Sequence, residues 1–193
     1  MRIFGKTIGR LAWTFALAAT AAACTTTRRS SEEAAALVQR LGGTATVDAT
    51  GAILTIDLHK SAVTNDDLAN IGTLQQLAAL DLRLTGVGDA GIAHLAGLTR
   101  LQKLNLFRTQ TSDVSMPLIG RLGDLDTLML GGTKVTDSGL ASLTRLSHLR
   151  KMSLFDTEVT DAGLVHLDGL PSLAMLLVAK SKVTEEGIAR LRK

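Results

Sequence analysis

Four histidines, His59, His94, His148 and His166, are the side chains of this 193-residue chain best suited to acid–base or metal chemistry. A zinc ion needs several donors converging at about 2 Å, and no two of these histidines lie at ligand spacing in one segment. His59 comes nearest, because Asp57 and Asp81 are expected on its face. Arg83 would compete for the same carboxylates, so His59 reads as a surface side chain. The carboxylates Asp66-Asp67, Asp81, Asp89 and the later Val-Thr-Asp members recur at intervals, whereas calcium requires convergence on one point. Gly42-Gly43 and Gly131-Gly132 match no phosphate loop, and neither G-x-x-x-x-G-K-[ST] nor Gly-x-Ser-x-Gly occurs. One cysteine, Cys24, excludes an internal disulfide or a thiolate cluster. We therefore expect a protein that is not an enzyme, with no catalytic residue, no metal and no cofactor.

The net charge of +3 does not indicate a polyanion partner. Arg2, Lys6 and Arg10 precede any acidic residue, and from residue 24 onward 18 basic residues face 18 acidic ones. No nucleic-acid partner is expected. Residues 1–23 divide into that positive end and the apolar run Leu11–Ala23, closing on Ala21-Ala22-Ala23 before Cys24. The run is too short for a span of roughly 20 residues and reads as a signal peptide. With Cys24 directly after it, the segment resembles a bacterial lipoprotein signal, although Ala21 stands where such signals usually carry Leu. The resemblance implies an exported, envelope-located protein, membrane-anchored through lipid attached to Cys24, with residues 24–30 as a tether. Ordinary cleavage, leaving a secreted or periplasmic soluble protein, is the alternative.

The elements that would position any site come from a repeat. Leu77, Leu101, Leu125, Leu149 and Leu173 recur every 24 residues, and Ile53 extends the register backward. The units are 53–76, 77–100, 101–124, 125–148, 149–172 and a shortened 173–193. Positions 1, 4, 6, 11, 16, 19 and 22 are apolar in 40 of 41 instances, Thr111 being the exception. Positions 3–7 alternate as a strand does. Thr64, Ser112, Thr136, Thr160 and Thr184 are placed to cap a following helix, with Gly88 the exception. An Asp or near relative follows each, in reach of the helix dipole. Pro117 falls inside the third helix, so a shortened or 3-10 segment is expected there. His94 and His166 share position 18 but lie three units apart, roughly 14 Å at sheet spacing.

The pattern L-x-x-L-x-L-x-x-T-x-V-T-D-x-G-L-x-x-L resembles the leucine-rich repeat. The resemblance implies an α/β fold: a right-handed solenoid, or arc, with a parallel concave sheet and short convex helices. It also implies that Ser61, Thr85, Thr109, Thr133, Thr157 and Ser181 hydrogen-bond the turns of adjacent units in a ladder. The repeats of F-box proteins share V-T-D-x-G-L, but residues 25–52 leave no room for an F-box beside the cap described next.

Residues 31–52 fit an N-terminal cap: a helix from Ser31 to Leu41, stopped by Gly42-Gly43, then a hairpin around Ala49–Ala52. On the concave side, Phe107, Met129, Gly131 and Phe155, with Met175 and Leu177 beside them, form the expected contact patch. Gly131 is expected to leave a slot between the two phenylalanines, roughly 10 Å apart at strand spacing. The function expected is a binding module for a protein or peptide partner. A structural, self-associating envelope protein is the alternative.

Overall fold

The computed structural model describes residues 6–7 and 23–191, with side chains from Arg29 onward. Lys6–Thr7 (β1) falls in the segment read as a leader and pairs antiparallel with Thr44–Val47 (β2). Helix α1 spans Ala23–Arg40, so segment 24–30, expected as a tether, is helical. It holds no Gly or Pro to stop a helix, and Arg29 Nε donates to Glu33 Oε1 one turn on, at 3.0 Å. Ser31, expected to start the helix, is accordingly a buried residue inside it. The helix ends where expected, with Gly42 at φ +75° and the Gly43 N–H donating to the Val38 carbonyl.

Strand β2 turns back antiparallel into Ile53–Asp57 (β3). The Asp48 carboxylate holds that turn by accepting from the Thr50 and Ala52 N–H groups at 2.7 and 3.1 Å. From β3 the sheet continues in parallel through Ala79–Asp81 (β4), Lys103–Asn105 (β5), Thr127–Met129 (β6), Lys151–Ser153 (β7) and Met175–Leu177 (β8). Every rung keeps the same register, so one position of the repeat makes one row across the sheet. Short helices return the chain along the other side. These are α2 (Leu68–Ile71), α3 (Asp89–Ala93), α4 (Met116–Ile119), α5 (Asp137–Leu140), α6 (Asp161–Leu164) and α7 (Glu185–Leu191). In the third unit one 3-10 turn, Asp113–Ser115, precedes α4, and Pro117 sits in the first turn of α4, where its missing N–H costs no bond.

The seven apolar positions stack into one dry column: Leu101, Leu104, Leu106, Met116 and Ile119 are all essentially inaccessible. Thr111 belongs to the column too. Its hydroxyl lies 2.9 Å from Thr109 Oγ1, which donates in turn to the Leu106 carbonyl, so a polar atom is buried with its bond satisfied. The sixth unit is less enclosed, with Leu173, Leu176, Val178 and Leu191 only partly buried.

The hydroxyl column at Thr85, Thr109, Thr133, Thr157 and Ser181 does not bridge units. Each hydroxyl donates to the carbonyl three residues back in its own turn. A threonine at that spacing reaches its own turn at less entropic cost than a neighbour's. The bridging is done by the carboxylates expected to serve the helix dipole. Asp113 accepts the Thr136 N–H at 2.8 Å and its hydroxyl at 2.6 Å. Asp89, Asp137 and Asp161 do the same for Ser112, Thr160 and Thr184. Gly88 offers only an N–H, and the residue facing it is Asn65, whose one amide oxygen accepts that bond at 2.9 Å. The glycine of V-T-D-x-G-L makes room for this ladder: a Cβ at Gly139 or Gly163 would collide with Asp113 or Asp137. At Ser115, which replaces that glycine, the hydroxyl donates to Asp89 at 2.5 Å.

Partial burial pushes the Asp89 carboxyl up, but the side-chain and backbone hydrogen bonds of Ser112 and Ser115 outweigh it and hold the group below its ordinary value. Asp161 is lowered by the Thr184 hydroxyl and N–H. A carboxyl lowered in the folded state stabilises it above the unfolded value of 3.8 and loses that contribution as pH falls through the folded value. Thermal unfolding followed by circular dichroism is therefore expected to show Tm falling steeply below about pH 4. Asp89→Asn is expected to flatten that slope, and an unchanged slope would remove this carboxylate from the account.

Candidate functional site

Positions 3, 5, 7 and 8 of each unit form the concave surface. Position 8 has positive φ in every unit: Lys60, Leu84, Arg108, Gly132, Asp156 and Lys180 lie between 54° and 67°. The turn needs this conformation so that the N–H of position 8 can reach the position 7 carbonyl of the next unit, as Leu84 does to Phe107 at 2.8 Å. Non-glycine residues there carry a cost of roughly 1 kcal/mol each.

The expected contact residues divide into three places. Phe107 and Phe155 come together, with ring centroids 6.2 Å apart and planes tilted by 42°. The slot expected over Gly131 is closed, because the Phe107 ring lies across it: a Cβ at Gly131 would sit 2.9 Å from Phe107 Cδ2. A position with no side chain leaves an uncovered apolar spot, and a neighbouring ring filling it gains contact on both faces. Met129 is half-buried beside them on β6. Met175 and Leu177 stand apart on β8, 47% and 48% exposed. Each ring also carries a cation: Arg108 Cζ lies 5.3 Å from the Phe107 centroid and Lys180 Nζ 5.4 Å from that of Phe155.

Open space lies beside Phe107. A shallow groove of about 500 Å³ has Phe107, Met129 and Leu84 as its apolar wall, and His59, Lys60, Arg83, Asn105 and Ser153 as its polar one. The arc brings the strand ends of the first two units beside Phe107. Leu84 escaped the sequence reading because it follows the alternating strand. Its φ of 59° and 37% exposure mark it. His59 is engaged rather than free to ligate, with Nδ1 2.7 Å from Asp57 Oδ1. Partial burial raises the Asp57 carboxyl, but the His59 N–H and ring, helped by Arg83, hold it below its ordinary value. Arg83 Nε in turn lies 3.4 Å from Asp81 Oδ2. Among the described residues no group of three or more His, Cys, Asp or Glu is placed to hold a metal ion.

No protein-family model and no curated relative matches the chain. Solved structures do. An internalin, InlF of Listeria monocytogenes, is similar over 71% of this chain and 38% of its own, at 22% identity and a TM-score of 0.58. Internalin C2 of the same organism is similar over 76% of this chain and 81% of its own, at 19% identity and a TM-score of 0.50. The ectodomain of the Arabidopsis thaliana receptor kinase GASSHO1/SCHENGEN3 is similar over 72% of this chain but only 17% of its own, at 20% identity and a TM-score of 0.56. Identities at this level establish fold, and they agree with the 24-residue period and the one-register parallel sheet. In fold, the chain is a leucine-rich-repeat solenoid: an α/β arc with a parallel sheet inside and short helices outside.

Proposed function

We propose that the chain is a non-catalytic binding module of the bacterial cell envelope, anchored by lipid on Cys24, whose concave face holds a protein or peptide partner. The observation that carries the reading is the pair of rings at Phe107 and Phe155. They are the only aromatic side chains from residue 24 onward; both are half-buried on the concave face rather than in the core, and Phe107 lines the groove. Partly exposed aromatics in such a place are where binding energy concentrates, often about 2 kcal/mol or more per residue. The receptor ectodomain similar in fold is in complex with CASPARIAN STRIP INTEGRITY FACTOR 2, which supports the same use of the arc. No helix among the described residues is long and apolar enough to cross a membrane. A lipid on Cys24 would supply about 0.8 kcal/mol per buried CH2 instead.

Phe107→Ala with Phe155→Ala is expected to abolish recovery of a partner from envelope extract with the fold intact by circular dichroism. His59→Ala with Arg83→Ala is expected to weaken recovery less. The opposite ranking would move the site to the polar end. Mass spectrometry of the processed protein is expected to show an acylated Cys24, and a free thiol there would remove the anchor. Exposed Met175 and Leu177 on β8 favour a second reading, self-association; light scattering from a monomer at micromolar concentration would exclude it.

A further inference from the structure

We infer that the concave face takes an acidic, extended peptide whose one apolar side chain seats against Leu84, Phe107 and Met129; the inference rests on the binding reading above and names its ligand class. The chain is electrically balanced from residue 24 onward, yet its concave surface is not. Positions 3, 5, 7 and 8 carry six Lys or Arg, namely Lys60, Arg83, Lys103, Arg108, Lys151 and Lys180, against three Asp, namely Asp57, Asp81 and Asp156. Two of those carboxylates are already engaged, Asp57 with His59 and Asp81 with Arg83 and Asn105. By contrast Lys60, Lys103, Arg108 and Lys151 are exposed and form no ion pair among the described residues.

The arrangement has a direction. Lys103 and Lys151 hold one margin of the sheet, at the starts of β5 and β7, while Lys60, Arg108 and Lys180 outnumber the single Asp156 on the other, at the turns. Between them runs the apolar strip of Phe107, Met129 and Phe155. A chain lying along the arc, across the strands, would have cations on both sides and apolar surface beneath. Seven extended residues reach about 23 Å, or about five strands. Acidic residues on such a segment would meet the margins, and complementary charge speeds encounter and suppresses wrong partners. Leu84 gives independent support. It keeps an exposed, branched side chain in a left-handed conformation that Asn or Gly would adopt at less cost, and it lines the groove. An inward-curving face cannot lie on a flat membrane, and the apolar strip has no use for a phosphate backbone, so a peptide fits better than a lipid surface or nucleic acid.

The test is fluorescence anisotropy on the full chain with three labelled heptapeptides: Glu-Asp-Glu-Leu-Glu-Asp-Glu, the same with Ser for Leu, and Lys-Ser-Lys-Leu-Lys-Ser-Lys. The first is expected to bind about tenfold more tightly than either other, and to weaken about fivefold when salt rises from about 50 to about 300 mM. Lys60→Glu with Arg108→Glu is expected to weaken it about tenfold. Leu84→Asn is expected to weaken it about fivefold while Tm stays level or rises, which separates binding from folding. The lysine peptide binding as well as the acidic one, or phosphatidylglycerol vesicles displacing the acidic peptide, would overturn the inference. So would no binding by any peptide. If Phe107→Ala with Phe155→Ala still costs partner recovery in any of those cases, the binding reading stands and only the acidic ligand is wrong.

Discussion

Gly120→Ala is expected to destabilise the arc by about 3 kcal/mol and to lower Tm by about 10 °C. Gly120 ends α4 with ordinary helical φ and ψ, so its conformation does not demand glycine. The reason is space. A Cβ there would collide with the carbonyl of Ser142 in the next unit, with the Ser142 carbonyl carbon at 3.2 Å and the Met116 oxygen at 3.3 Å. Backbone cannot swing aside as a side chain can, so relief requires prising two coils apart, and the leucine column between them loses contact. Gly123 supplies the control: nothing lies within 4 Å of its Cβ position, and its φ is not positive. Gly123→Ala is expected to change stability by less than about 0.5 kcal/mol, and in the stabilising direction. Denaturant melts of the two variants decide the matter, and equal midpoints would mean that the coils are not packed this closely.

Asp113→Ala should cost about 2 kcal/mol, since it strips both the N–H and the hydroxyl of Thr136 of their acceptor in a partly buried setting. Asn65→Ala, which removes a single bond to the Gly88 N–H, should cost about half as much. Coupling is the sharper readout. In a Thr136→Gly background, which copies the arrangement at Gly88, Asp113→Ala is expected to cost about 1 kcal/mol less than in the parent. Strict additivity in the double-mutant cycle would show that the Thr136 hydroxyl adds nothing to the bond that Asp113 accepts from the backbone N–H.

That contrast also marks how far sequence reasoning carries. A 24-residue period assigns each residue to a place in the coil, and burial follows from place, which is why the leucine column and the irregular third unit were legible. Direction of a side chain is another matter. Asp113 sits at the helix start in either account, and only the stacking distance sends its oxygens forward to Thr136. A covariation within the chain hints at it, because the one cap lacking a hydroxyl, Gly88, faces the one acceptor lacking a second carboxylate oxygen, Asn65. The repeat position of Phe107 follows from the period, but the choice between standing beside Gly131 and lying over it is made by rotamer packing, which composition does not encode. Nor does anything about leucine or arginine signal positive φ; Leu84 and Arg108 adopt it because a backbone bond to the next unit is worth more than their local preference. The early start of α1 was hidden for the opposite reason: Thr and Ser read as linker residues, yet nothing in 24–30 obliges a helix to stop.

Because every rung after the first joins a carboxylate of one coil to the cap of the coil after it, the interfaces are interchangeable wherever the two halves match. Excising residues 101–124 as a cassette would set Asp89 against Thr136, a junction chemically like those already present. Excising 77–100 would set Asn65 against Ser112 and strand a hydroxyl facing an amide. A gene for such an arc can lose or duplicate its middle units in whole multiples of 24 residues and still splice cleanly, whereas its first junction is keyed and resists exchange. Length, and with it the reach of the concave face, is therefore the property of this molecule most open to inheritance by recombination.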